Sequence, residues 1–258
     1  MRKHPRSKTP SHTPLSARPL TEFCAQCRAR LSCIVPAALR RLPEREQDEF
    51  HRHITVHRYR AGVSIVRQGD IRTTLPLVCR GMVVSSLLTE GGEEITLHTG
   101  GTGTFIGVMD WLLERPTFSC SAQALVETTL AYVRPAALLK AVTMEPGLLA
   151  TLLKQFGSQM HSIEHQFAAG QSRDAGGRIL RCLLDLARNL GVTDQRGVSL
   201  PAEVTRTRLA QLTGLARETV SRSVRKLARA GLILHDGRRI VIPCVKRAEQ
   251  ALRRDRHH

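Results

Sequence analysis

The chain has 258 residues and carries 39 Lys and Arg against 22 Asp and Glu, a formal charge of +17. That length supports one large or two modest domains with cores of their own. No run of 18 apolar residues occurs and the basic start lacks an apolar stretch behind it, which speaks against a membrane-spanning helix and a secretory leader and points to the cytoplasm. The charge is segregated: residues 1–45 hold ten Lys/Arg against two acids, residues 203–258 fourteen against five, and the middle balances at fifteen each. Two basic ends around a neutral centre suit a polyanion, and phosphate-backbone attraction is the commonest reason for such a layout. Seven cysteines in a cytoplasmic chain point to metal binding or redox chemistry before a disulfide framework.

In chain order, residues 1–20 are rich in Pro, Ser, Thr and basic residues and read as a disordered tail. Residues 21–45 hold the cysteine cluster Cys24, Cys27 and Cys33, and Glu46–Phe50 reads as a short helix. Residues 46–144 then form a β-rich unit. Runs such as Val63–Arg67, Met82–Leu88 and Glu94–His98 alternate with the turn signals Ala61-Gly62, Gly69-Asp70, Arg80-Gly81, Gly91-Gly92 and Gly100-Gly101. That spacing predicts an antiparallel β-roll.

From Pro146 the pattern becomes helical, with a helix expected over 145–170. Leu149, Leu153, Phe156, Met160, Ile163 and Phe167 recur at spacings of 4, 3, 4, 3 and 4, the narrow seam by which a helix pairs with a second copy of itself. Packing of this helix onto its own roll is the alternative that periodicity leaves open. A break at 170–177 precedes another helix over 178–190.

The segment 171–247 carries the most specific pattern. Ala210, Gly214 and Val220 stand where a helix-turn-helix needs a small residue, a turn glycine and a locking apolar side chain, and Leu209, Leu212, Leu215, Val224 and Leu227 complete an inward face. The opposite face of the second helix presents Arg217, Glu218, Ser221, Arg222 and Arg225, whose types suit base edges in a major groove. Glu218 and Arg222, four apart, also suit a plain helix ion pair. Asp236-Gly237 between two apolar runs signals a hairpin wing, with Arg238 and Arg239 beside its tip as phosphate contacts. Residues 248–258 read as a basic tail.

A roll, a dimer-type helix and a winged helix containing Arg217-Glu-Thr-Val-Ser-Arg222 together resemble the CRP/FNR family of bacterial transcription regulators over nearly the whole chain. Gly62, Gln68-Gly69-Asp70, Gly81 and Phe105-Ile106-Gly107 also carry the likeness. The resemblance implies an α+β fold with a cyclic-nucleotide-binding-like (cupin-type) antiparallel roll, a long dimerisation helix and a C-terminal winged helix-turn-helix. It also implies a homodimer bound to an inverted repeat in double-stranded DNA, RNA polymerase as a partner, and no enzyme activity. Glu218, Ser221 and Arg222 would read a TTGAT-type half-site; Arg217 resembles the extra arginine of the cyclic-AMP branch.

Cyclic-nucleotide binders of this family place a Glu directly after the Phe-Ile-Gly segment and an Arg-Ser pair on the next strand. Here Val108 and Phe118-Ser-Cys-Ser stand at those places, so no cyclic nucleotide is expected. The spacing Cys24-x2-Cys27-x5-Cys33 instead resembles the cluster loop of the FNR-type, oxygen-sensing branch, which implies a [4Fe-4S] cluster controlling dimerisation. Arg28 and Arg30 within the loop favour thiolates. The resemblance puts the fourth ligand near Ala131 or Tyr132, neither of which supplies a thiolate; Cys120 is the first substitute and Cys79 the second, with a carboxylate also open. Rival readings are a haem-based nitric-oxide or thiol-redox sensor of the same family, a zinc-stabilised DNA-binding protein using His51 or His53, and a Cys-x2-Cys oxidoreductase.

Overall fold

The computed structural model describes residues 13–14, 45, 54–144, 146–171, 174–236 and 239–254. Antiparallel strands of the first half form two four-stranded sheets. One runs β1 (Thr13–Pro14), β2 (Ile54–Tyr59), β8 (Thr128–Val133), β4 (Leu75–Arg80); the other runs β3 (Ser64–Val66), β7 (Ser121–Ala124), β5 (Val83–Leu88), β6 (Glu94–Gly100). Alternation along the strands sends most of the apolar side chains to one of two clusters. Val78, Leu130, Tyr59, Val83, Ala122 and Phe118 fill the space between the sheets. Leu75, Leu77, Cys79, Ala131 and Val133 point the other way, towards the helices.

Four of the turn glycines expected from the sequence, Gly62, Gly69, Gly81 and Gly92, have positive φ, a conformation that other residues adopt only at a cost; in the expected Gly100-Gly101 turn it is Gly103 that does so, and Gly100 ends a strand, while Gly107 adds a positive φ that no turn signal marked. At Gly81 and Gly107 the space is closed as well. A Cβ at Gly81 would sit 2.5 Å from the Glu127 carbonyl oxygen, and one at Gly107 would sit 2.3 Å from the Phe118 ring.

After Gly107 comes a short helix, α1 (Val108–Leu112), and after β8 an unexpected one, α2 (Pro135–Met144). Next, α3 spans Pro146–Gln171, close to the expected 145–170. Its proline lies at the first helical position, where a missing N–H costs nothing. Two apolar faces emerge on α3. Leu148 and Leu152 are buried against the β2-β8-β4 sheet, at 4 % and 3 % exposure, with Phe156 half-buried beside them. Leu149, Leu153 and Met160 remain 46 %, 58 % and 51 % exposed, Ile163 is half-buried, and Phe167 lies within the same helix. The expected seam therefore loses Phe156 to the roll side. Packing onto the roll is therefore realised on one stripe, while the neighbouring stripe stays open to solvent.

The break before the next helix is shorter than expected. Asp174 accepts hydrogen bonds from Gly176 and Gly177 N–H at 3.0 and 2.8 Å, so both glycines enter the first turn of α4 (Ala175–Leu190). A hairpin that the sequence pattern did not signal follows, β9 (Val192–Asp194) and β10 (Gly197–Ser199). It joins β11 (Leu234–Asp236) and β12 (Arg239–Ile242) in the order β11-β12-β10-β9.

At both ends the described residues differ from expectation. Within the tail expected to be disordered, Thr13 and Pro14 pair with Arg58 and His57 along β2. Residues 248–254 of the expected basic tail belong to a helix, α7 (Val245–Arg254), because Ala248 and Leu252 give it an apolar stripe that packs on α4. The short helix expected at Glu46–Phe50 and the cysteine loop fall outside the described residues.

Candidate nucleic-acid interface

The helix-turn-helix consists of α5 (Arg206–Thr213) and α6 (Arg217–Arg229). Thr205 caps α5, its hydroxyl accepting from Arg208 N–H at 3.2 Å. Gly214 ends α5 in the left-handed region at φ +63, the conformation that a tight helix exit requires. Leu209, Leu212, Val220, Val224 and Leu227 are buried in one cluster with Ile179, Leu183 and Leu186 of α4, and Ala210 and Leu215 pack at its margin. The inward face expected from spacing is the observed one.

With that face seated, Arg217, Glu218, Arg222 and Arg225 are exposed on the other side of α6 and Ser221 is half-buried. Arg225 turns back along the helix and donates to the Ser221 carbonyl at 3.2 Å. Among the described residues Glu218 and Arg222 do not form the ion pair that their spacing permits, so both heads are turned to solvent. In the wing, Leu234, His235 and Asp236 pair with Val241, Ile240 and Arg239. Asp236 thus closes the hairpin as a strand residue and is not part of the turn itself. Arg239 is exposed opposite it. Arg238 lies outside the described residues.

Other groups near the helices carried no sequence signal. Arg178 of α4 donates to the carbonyl of Thr213, and Arg247 of α7 donates to the carbonyl of Ala230 at 3.1 Å. In an arginine-rich stretch, nothing in the pattern separates the side chains on helix ends from those facing outward. The unit is also docked on the roll. Thr96 Oγ1 donates to the Gln211 carbonyl at 3.0 Å, and Arg208 donates to Gln123 Oε1 at 3.0 Å. Burial pushes the Arg208 pKa down. Met82, Val84, Leu125 and Val126 of the roll join the apolar cluster beneath α5 and α6.

The roll holds the remaining candidate residues. Cys120 is half-buried, and its thiol pKa is raised by burial and then by the Asp110 carboxylate; Asp110 itself is buried and accepts from Ser119 N–H at 3.0 Å. Cys79 is buried among Leu75, Leu77, Ala131 and Ile54. Val108 is also buried, so an apolar side chain occupies the place that the resemblance reserves for a ribose-binding carboxylate. Cys24, Cys27 and Cys33 lie outside the described residues, and among the described residues no group of three or more His, Cys, Asp or Glu side chains is placed to hold a metal ion. Among the described residues no single helix is long and apolar enough to cross a membrane.

Comparison with known proteins matches residues 56–144 to the cyclic nucleotide-binding domain and residues 177–249 to the Crp-like helix-turn-helix domain. The cAMP-activated global transcriptional regulator CRP of Haemophilus influenzae is 27 % identical over 196 residues, 76 % of this chain and 87 % of that protein. Among solved structures, a CRP-family transcriptional regulator from Thermus thermophilus superposes with a TM-score of 0.62 at 26 % identity, over 76 % of this chain and 95 % of that one. The c-di-GMP responsive global regulator CLP of Xanthomonas campestris gives 0.62 at 25 % identity, over 78 % and 100 %. The two matched domains stand in family order around the α3 helix, and the chain belongs to the CRP/FNR family of DNA-binding transcription regulators.

Proposed function

We infer that the protein binds an inverted repeat in double-stranded DNA as a homodimer, each α6 reading one half-site through Arg217, Glu218, Ser221 and Arg222 while Arg238 and Arg239 hold phosphates. The observation that carries this reading is the seating of α6. Its apolar side is locked by Val220, Val224 and Leu227, so the arginine-rich side is turned outward from its first turn. Arg suits guanine, Glu suits the cytosine amino group and Ser accepts several edges. The exposed stripe Leu149, Leu153 and Met160 on α3 supports a two-fold partner that sets the two α6 helices one DNA turn apart. RNA polymerase is the expected downstream partner.

The signal read by the roll is inferred as oxygen or redox state, through a [4Fe-4S] cluster held by Cys24, Cys27, Cys33 and one roll cysteine. Bound there, the cluster would supply an oxygen-labile centre. For the fourth place, Cys120 faces an electrostatic objection: its thiolate would stand beside the buried Asp110 carboxylate. Packing favours Cys79, which shares an apolar cluster with Ile54, the first residue of β2 after the cysteine-bearing segment, and with Leu148 and Leu152 of α3. A cyclic nucleotide is the second reading, favoured by the matched domain and by the cAMP-activated relative. The burial of Val108 and the absence of arginine from Phe118–Ser121 weigh against it.

Two measurements separate these readings. Anaerobic purification followed by a visible spectrum and iron, sulfide and zinc analysis should give a coloured protein with iron and sulfide near four each. A colourless protein holding zinc or no metal overturns the cluster. Calorimetric titration with cAMP should give no heat, and saturable binding would install the second reading.

A further inference from the structure

We propose that Arg178 and Arg247 are positioning residues that clamp the helix-turn-helix at its turn and at its rear, and that neither contacts DNA. The proposal rests on α6 being the base-reading helix. Both arginines lie in the DNA-binding unit, where charge alone would assign them to phosphates. Their hydrogen bonds say otherwise. The guanidinium of Arg178 is half-buried and donates to the Thr213 carbonyl, the last of α5 before the Gly214 turn. Arg247 donates to the Ala230 carbonyl, which caps α6. The final carbonyls of a helix have no partner within it, and a cation there is favoured by the helix dipole as well.

Both clamps are built from one frame. Arg178 projects from α4 itself. Arg247 projects from α7, which is fastened to α4 by the buried Ala248, by Leu252 and by an ion pair from Arg188 to Glu249 at 2.9 Å. The helix-turn-helix is therefore tied at the end of α5, before the turn, and at the far end of α6 to one frame made of α4 and α7. Thirteen residues give α6 a length of about 20 Å, so a small tilt at the Ala230 end moves the Arg217–Arg222 end by a comparable amount. Bidentate base contacts tolerate only about 0.5 Å of error. Phosphate contacts from flexible side chains tolerate more.

The test measures affinity for a selected inverted repeat and for a scrambled duplex, across a salt series, with full-length wild type, Arg178→Met, Arg247→Met and Arg247→Lys. Loss of a positioning residue lowers the specific-to-scrambled ratio by roughly tenfold, the discrimination of about one bidentate contact, and leaves the slope of log affinity against log salt unchanged. Arg247→Lys, which keeps a donor and a charge, restores most of the ratio. Arg239→Ala serves as the contrast, with its slope reduced by about one and its ratio kept. A reduced slope at an unchanged ratio for Arg247→Met, or no change at all, overturns the proposal. Arg247 is exposed, so its variants report even if Arg178→Met fails to fold. A wild type without sequence preference refutes the reading of α6, whereas a selective wild type whose variants stay equally selective refutes the clamps.

Discussion

The two apolar stripes of α3 make opposite predictions for neighbouring leucines. Leu153 is 58 % exposed and Leu152 is 3 % exposed, within one helical turn of each other. Complete burial of a leucine side chain is worth about 1.5–3 kcal/mol, so covering the exposed part of Leu153 at a dimer seam contributes about 1–1.5 kcal/mol per protomer. Two-fold symmetry doubles this, and Leu153→Ala should weaken dimerisation by about 2–3 kcal/mol, roughly 30- to 150-fold in Kd. The folded protomer should be nearly indifferent. Leu152→Ala should do the reverse, losing about 2–5 kcal/mol of protomer stability through the cavity left against Leu148 and Ala131. Sedimentation equilibrium reads the first effect. Thermal melting at a concentration where the dimer is dissociated reads the second, as a fall of roughly 5–15 °C. If Leu153→Ala melts like Leu152→Ala, or leaves dimerisation unchanged, the exposed stripe is not the seam.

Two further predictions concern backbone and thiols. Gly214→Ala meets only Arg178 Nη2, at 3.6 Å, so its cost is the left-handed strain of about 1–2 kcal/mol; Gly107→Ala adds a 2.3 Å clash with Phe118 to the same strain and should lose several-fold more stability. Equal melting temperatures for the two variants would sink that ranking. Native alkylation at pH 8, followed by mass spectrometry, should modify the exposed Cys244 well before Cys182, since only thiolates react and the Cys182 pKa is pushed up to about 12 by burial and the nearby Asp185. Cys120, raised by burial and Asp110, should also lag. Labelling of Cys182 at the rate of Cys244 would contradict this.

The parts of the fold legible in the sequence are those whose signal is local. Gly62, Gly69, Gly81 and Gly92 mark turns because their backbone angles need no partner to be inferred, and Gly214 with its flanking leucines identifies the helix-turn-helix for the same reason. The features that were missed depend on what lies across space. In α7, charged residues hide a stripe as short as Val245, Ala248 and Leu252, which shows its meaning only against α4. The β9-β10 hairpin lacks the Asn-Gly or Asp-Gly signature; Gly197 pairs with Asp194, whose side chain closes the turn by accepting Arg196 N–H at 2.8 Å. On α3 the 4-3 spacing identifies a seam, but periodicity alone does not tell the 149/153 stripe from the 148/152 stripe one residue away. Likewise, Cys79 and Cys120 look alike until packing puts Cys79 in the apolar cluster of Ala131 and the acid Asp110 beside Cys120.

Base reading by α6 is probed by Arg222→Ala. Binding of wild type and variant to a selected inverted repeat and to scrambled duplex at fixed salt should show a wild-type preference that the variant loses by about 1–3 kcal/mol, with scrambled binding, dimerisation and melting temperature little changed. A variant that keeps the wild-type preference, or a wild type that has none, contradicts the account.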